Sequence, residues 1–138
     1  MIEKQPLRPG RQRKITGSFA FIEHRFLRDG FWSSLSQHEL LLYVFLILVA
    51  DRNGLSYYGY DKVCTLLHFT LDDYLIARNA LIEKDLIAFD GHLFQVLSLP
   101  QIPRQKPPKA LQSPANMTQD DPATIRALIR DSLGAQDD

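Results

Sequence analysis

The chain has 138 residues, 45% of them hydrophobic and 23% charged, a balance typical of one folded domain with a real core. Its longest apolar run, Leu40–Ala50, is far shorter than the roughly 20 residues that a membrane-spanning helix needs. Cys64 is the only cysteine, which excludes an intramolecular disulfide, and the N-terminal residues lack the apolar stretch of a secretory signal. We therefore expect a cytoplasmic protein that makes no contact with a membrane.

The formal net charge is zero, yet the charges are segregated along the chain. Residues 1–14 contain five basic residues and one acidic residue, whereas residues 35–99 contain four basic and eight acidic residues. Residues 100–116 contain three basic residues and no acidic residue, together with most of the prolines. This pattern predicts four parts: a basic flexible arm (1–17), a folded domain (18–99), a proline-rich basic linker (100–120), and a short amphipathic helix with an acidic tail (121–138).

The folded part begins with aromatic residues and a helix signal. Phe19 and Phe21 alternate with a small residue, as in a short strand. Ser36, followed three residues later by Glu39, has the pattern of a capping box, in which each side chain satisfies a free backbone donor at the start of a helix. The run that follows is apolar nearly all round, so we expect a central helix over residues 36–50.

Two more helices and a hairpin follow this central helix. A brief strand is expected at residues 55–58, then a short helix over 61–67, and Thr70 is a suitable N-cap for a third helix over 71–84. Asp90–Gly91 lies between two apolar runs, which predicts a tight β-hairpin. The residues expected in the core are Leu41, Leu42, Phe45, Leu48, Val63, Leu66, Leu67, Leu81, Leu86 and Val96.

The run Ala77–Ile87, followed by the hairpin, resembles the passage from the third helix to the wing in bacterial winged-helix proteins. These include regulators of the antibiotic-resistance type and the N-terminal domains of plasmid and phage replication initiators. The resemblance covers Ser36–Leu99, with Leu81 as its core leucine and Asp85 at the turn where most relatives have glycine. It implies an α+β, winged helix-turn-helix fold: a three-helix core with a C-terminal β-hairpin wing, preceded here by the short aromatic strand-like segment.

The resemblance also implies a DNA-binding protein without enzymatic activity, either a transcriptional regulator or a factor in replication or transposition, from a bacterium or a mobile element. In such proteins the third helix lies in the major groove of duplex DNA. Here that helix begins with Asp72 and Asp73, and no Lys or Arg follows in the wing. We therefore expect the basic arms to supply much of the affinity. The candidate DNA contacts are Arg8, Arg11, Arg13, Lys14, Arg78, Asn79, Lys84, Arg104, Lys106 and Lys109.

Other partners remain open at this point. Leu75 and Ile76 fall on the outward face of the third helix, and exposed apolar residues often mark a protein-interaction or dimerisation surface. The basic tails alone are compatible with RNA binding, or with a role in keeping the protein in solution.

Motifs for catalysis and for metal binding are missing from the sequence. It contains no glycine-rich phosphate-binding loop and no pair of histidines in the zinc-protease pattern. Cys64 and His68 lie four residues apart, but a zinc site needs at least three protein ligands, and a buried cysteine is the favoured interpretation. We expect no enzymatic activity, no cofactor and no metal.

Overall fold

The computed structural model describes residues 3–103 and 121–136, which form an α+β protein with a small antiparallel sheet. The five α-helices of this part of the chain are α1 (Arg25–Arg28), α2 (Gln37–Val49), α3 (Tyr60–Leu67), α4 (Leu71–Glu83) and α5 (Pro122–Gln136). The strands are β1 (Leu55–Ser56), β2 (Ile87–Phe89) and β3 (Phe94–Val96). The three predicted helices and the hairpin are thus present, and the arrangement is compatible with a winged helix-turn-helix.

The central helix, α2, begins where its cap predicts. The backbone N–H of Glu39 donates to the Ser36 hydroxyl over 3.2 Å, and that hydroxyl donates to the Glu39 carboxylate over 2.9 Å. Leu42 and Leu46 are fully buried on the inner face of the helix. Gly54 closes the turn after α2 with a φ of 82°, and a Cβ at this position would lie 2.7 Å from the Val96 carbonyl oxygen. Glycine is therefore the residue that this turn requires.

The helices α3 and α4 form a helix-turn-helix unit. His68 takes the left-handed conformation at the end of α3, with a φ of 58°, and only Phe69 and Thr70 separate it from α4. Thr70 and Asp73 make a complete capping box, because each side chain accepts from the backbone N–H of the other residue. The same hydrogen bonding lowers the pKa of the Asp73 carboxyl. This unit packs against α2.

The sheet has the strand order β1–β3–β2, and both pairs are antiparallel. Phe89 and Phe94 are opposite each other in the hairpin, with their rings stacked 4.2 Å apart. The turn between them is built on the Asp90 carboxylate, which accepts from the backbone N–H groups of His92 and Leu93. These hydrogen bonds lower the pKa of Asp90. Gly91 supplies the positive φ, 103°, that the turn needs.

The aromatic segment that precedes α2 does not contain the predicted strand. Phe19 and Phe21 belong to an irregular stretch and are 64% and 73% exposed. The apolar packing begins further along, where Phe26 stacks on Tyr43 and on Phe31. The alternation of two phenylalanines was therefore not a sign of sheet pairing, because the sheet formed by the described residues consists of β1, β3 and β2 and includes neither phenylalanine.

The predicted core is correct in part. Leu42, Val63, Leu81 and Leu86 are almost completely buried, and Phe45, Leu67 and Val96 are partly buried against them. The prediction was wrong for three leucines, which are 49%, 67% and 53% exposed: Leu41, Leu48 and Leu66. A helix that is apolar on every side, as α2 is, still has one face against solvent, so the hydrophobic pattern alone does not reveal which face is buried.

Within the described ranges, no helix combines the length and the apolar character required to cross a membrane.

Candidate nucleic-acid interface

The outer face of α4 is the surface on which a nucleic-acid interface is expected. Its exposed residues recur at helical spacing and form a stripe, hereafter the α4 stripe, made of Asp72, Ile76, Asn79 and Glu83. Ile76 is 69% exposed, whereas Leu75 is half-buried beside the stripe. The α4 stripe therefore carries two carboxylates, one amide and one apolar side chain, and it contains no cation.

Arg78, a candidate DNA contact from the sequence, is not at this surface. Its side chain is completely buried, and its guanidinium lies over the rings of Tyr74 and Phe89 at 5.4 and 4.9 Å. The Nη2 atom is 2.6 Å from the carboxylate of Asp121, which is itself 1% exposed. A buried guanidinium needs such a partner, because an unpaired charge away from water is costly. As the structure stands, Arg78 is unavailable to a nucleic acid.

The Tyr74 ring, which lies beside this ion pair, is also buried. Burial raises the pKa of Tyr74 to about 12, although the charge and hydrogen bonding of Arg78 act in the opposite direction. Thr124 completes the pair by donating to Asp121, and its hydroxyl oxygen lies 3.4 Å from Arg78 Nη2. Among the described residues, Arg78 Nη1 has no hydrogen-bond partner.

The helix α5 brings these partners to α4. Arg130 on α5 donates to the carboxylate of Asp72, the first residue of the α4 stripe, over 3.0 Å. The hydrogen bonds that Arg130 donates, first to Asp72 and then to Asp131, raise its pKa. The sequence predicted α5 as a helix, but the contact of α5 with α4 had no local signal. It depends on Asp121 and Arg130 meeting residues that are distant in the chain.

The other polar candidates on α4 are also engaged. The amide oxygen of Asn79 accepts from Arg78 Nε and Nη2, at 3.2 and 3.0 Å. Lys84 Nζ donates to the backbone oxygen of Ser34 over 2.8 Å and pairs with Glu39 at 2.5 Å. Lys84 therefore bridges the end of α4 to the start of α2, and its role as a DNA contact stays a prediction.

The N-terminal arm has a different character. Its cations are exposed, and none of them forms an ion pair with another described residue: Arg8, Arg11, Arg13 and Lys14. Three further candidates, Arg104, Lys106 and Lys109, lie outside the described residues. Among the predicted DNA-contacting cations that lie within the described residues, those of the N-terminal arm are exposed.

The two remaining sequence features have ordinary structural roles. Tyr58 packs edge-on against Phe45 on α2, with ring centroids 5.3 Å apart. The Cys64 thiol lies 3.7 Å from the Thr70 carbonyl oxygen, and burial raises its pKa. Residues 3–103 and 121–136 contain no group of three His, Cys, Asp or Glu side chains placed to hold a metal ion.

Comparisons of this chain with protein-family models, with curated proteins and with solved structures found no match.

Proposed function

We propose that this protein is a non-enzymatic, DNA-binding winged helix-turn-helix protein. In this proposal the N-terminal arm binds the phosphate backbone, and α4 approaches the major groove. The observation that carries the proposal is the arrangement of α3, α4 and the β2–β3 hairpin, which leaves the side chains of the α4 stripe exposed while the other faces of α4 pack on α2, α3, α5 and β2. A transcriptional regulator, or a factor in replication or transposition, fits this arrangement.

The accessible charges support different roles for the N-terminal arm and for α4. The α4 stripe is acidic at both ends, so that α4 by itself would be repelled by phosphates. The N-terminal arm has the opposite charge, and its cations form no ion pair with another described residue; phosphate contacts from such cations provide sequence-independent affinity. Affinity is therefore assigned to the N-terminal arm and orientation to the helix-turn-helix unit.

Sequence preference is assigned to Asn79. An asparagine side chain pairs with the edge of adenine through its amide oxygen and nitrogen together, a contact that discriminates between bases by about 1–3 kcal/mol. Asn79 lies in the middle of the exposed stripe, with its amide oxygen held by Arg78. Pairing with a base would require that oxygen to exchange Arg78 for adenine.

The test is a titration of the full-length protein into a fluorescently labelled duplex at several salt concentrations, read as anisotropy. The proposal expects binding that weakens with salt, and deletion of residues 1–14 should lower the slope of log K against log salt by about 2–4, because each lost phosphate contact contributes about 0.9. Asn79→Ala should leave that slope unchanged and alter which duplex is preferred. A slope that is unaffected by the deletion would remove the N-terminal arm from the proposal.

A protein-interaction module is the second candidate, and the exposed apolar residues favour it. Besides Ile76 on α4, the helix α5 exposes four large apolar side chains at helical spacing: Ile125, Leu128, Ile129 and Leu133. Contiguous apolar surface of this kind often marks a contact with another protein. Sedimentation of the full-length protein, compared with an Ile76→Asp variant and a Leu128→Asp variant, would reveal self-association through either helix.

A further inference from the structure

We propose that α5 is a displaceable cover over the N-terminal end of the α4 stripe, where Arg130 is bonded to Asp72, so that α5 and duplex DNA compete for this end of α4. The inference rests on the proposed function. It is carried by the two ion pairs that hold α5 beside the first two turns of α4, one between Asp121 and Arg78 and the other between Arg130 and Asp72.

The width of the major groove makes the two occupants exclusive. The groove is about 12 Å wide and admits one α-helix, whose diameter with side chains is about 10–12 Å. Two packed helices have axes about 8–10 Å apart, so α4 with α5 alongside is about 20 Å across. Asp72 lies in the first turn of α4 and is bonded directly to α5. That turn can enter the groove only after α5 has moved.

The contacts of α5 are those of a weakly held helix. Ala123 is the only apolar side chain of α5, over residues 122–133, that is almost fully buried, and Ala127 is partly covered. The large apolar side chains of α5 are 38% to 59% exposed, so none of them is buried in the core. Two ion pairs add to the attachment, Arg78–Asp121 and Asp72–Arg130. When α5 leaves, Arg78 and Asp121 both return to water, so the loss of their attraction is largely offset by rehydration.

Asp121 and a DNA phosphate would compete for the guanidinium of Arg78. A carboxylate and a phosphate are equivalent kinds of partner for a guanidinium, since each accepts paired N–H donors. While α5 is docked, Asp121 occupies this position and Nη1 has no partner within the described residues. Departure of α5 would uncover a cation on an otherwise acidic helix and would allow Asn79 to exchange its bond with Arg78 for a base. DNA phosphate would then replace Asp121.

The direction in which one substitution changes the affinity for duplex DNA distinguishes a cover from an additional DNA contact. Arg130→Ala removes a positive charge, which would weaken DNA binding if α5 helped to grip the duplex. If α5 is instead a cover, Arg130→Ala removes one of the ion pairs that hold it on α4. The affinity for duplex DNA should then rise about threefold or more at constant salt. Arg28→Ala is the matched control, because Arg28 is an exposed arginine on α1 whose nearest partner is its neighbour Asp29. It should leave the affinity unchanged or slightly reduced.

A second pair of variants tests the buried contact. Asp121→Asn should raise the affinity for duplex DNA about tenfold, whereas Asp29→Asn, with the same change in charge at an exposed position at the end of α1, should change it about twofold at most. Hydrogen exchange of the full-length protein should show faster exchange in α5 of the Asp121 variant and unchanged protection in α2. If that variant loses protection in α2 as well, it has unfolded and Arg130→Ala decides.

Each outcome of these titrations has one meaning. If the wild type binds duplex DNA and Arg130→Ala binds with equal or lower affinity, the cover is wrong and the proposed function stands. If the wild type binds weakly and both α5 variants bind more tightly than their controls, the cover is supported. If neither the wild type nor any variant binds duplex DNA at low salt, the cover and the proposed function both fail.

Discussion

Arg78 and Asp121 form an ion pair with an N–O distance of 2.6 Å, in which both side chains are inaccessible to solvent. The pair joins the helix expected to approach DNA to a helix that follows it at a long distance in the sequence. It removes from the surface the arginine that the sequence offered as a DNA contact. Affinity for DNA is therefore expected from the N-terminal arm, with α4 providing orientation.

The packing of α4 on the core is tested first. Leu81 is fully buried on the inner side of α4, so that Leu81→Ala removes buried methyl groups and leaves a cavity, at an expected cost of about 2–5 kcal/mol in the free energy of unfolding. Leu48→Ala is the control, since Leu48 is 67% exposed and its truncation should cost about 0.5 kcal/mol or less. Denaturant titrations of the two variants measure the loss in the free energy of unfolding for each. Equal losses would mean that α4 packs by another face.

Lys84 is expected to act on stability and to have no effect on DNA binding. Its ammonium group is the partner of Glu39, and both side chains are largely buried, at 21% and 11% exposure. Lys84→Met should therefore lower the free energy of unfolding by about 1–3 kcal/mol, because a buried carboxylate loses its charged partner. Arg28→Met, which removes an exposed arginine, should cost well under about 1 kcal/mol. A lower salt slope for the Lys84 variant would instead identify Lys84 as a phosphate contact.

The hairpin turn should make the protein less stable in acid. The folded-state pKa of Asp90 is lowered, first by its hydrogen bond from Leu93, so it lies below the value of 3.8 that represents the unfolded chain. The contribution of the ionised Asp90 carboxylate to folding stability is complete above its unfolded-state pKa and is lost as the pH falls through its folded-state pKa. Asp90→Asn keeps an acceptor in the turn but does not titrate in this range. Thermal unfolding of this variant should depend less on pH below about 4 than that of the wild type.

The N-terminal arm should be distinguishable from other exposed cations. Arg11→Gln with Arg13→Gln should lower the slope of log K against log salt for duplex DNA by up to about 2, since each phosphate contact contributes about 0.9. Arg28→Gln with Arg52→Gln makes the same change in net charge at exposed positions away from the N-terminal arm. Anisotropy titrations should show little change in slope for this second pair. Equal effects of the two pairs would indicate that net charge alone governs binding.

Local signals in the sequence were sufficient for much of the fold. The cap at Ser36, the cap at Thr70 and the Asp90–Gly91 turn each depend on neighbouring residues, and the structure has α2, α4 and the hairpin at these positions. Asp85, which stands at the turn where most relatives have glycine, takes the left-handed conformation that glycine favours, with a φ of 64°. These features are specified by short-range backbone hydrogen bonds and sterics, which a single sequence displays directly.

The candidate site was less predictable because its contacts are long-range. Nothing near Arg78 indicates that Asp121 will meet it, and nothing near Lys84 indicates that Glu39 will. The exposure of Leu48 has a related cause, because a helix that is apolar all round does not specify its buried face. The N-terminal arm was predicted to be basic and flexible because a segment with few apolar residues has little to bury, and its described residues 3–17 are exposed, whereas its flexibility stays a prediction.

The most direct test of the account is the affinity of the full-length protein for duplex DNA at low salt, measured together with its state of association. The account predicts salt-dependent binding that is weakened when residues 1–14 are removed. Absence of duplex binding at low salt, combined with self-association or capture of a protein partner that is abolished by Leu75→Asp with Ile76→Asp, would contradict it. The protein would then be an interaction module built on the same helices.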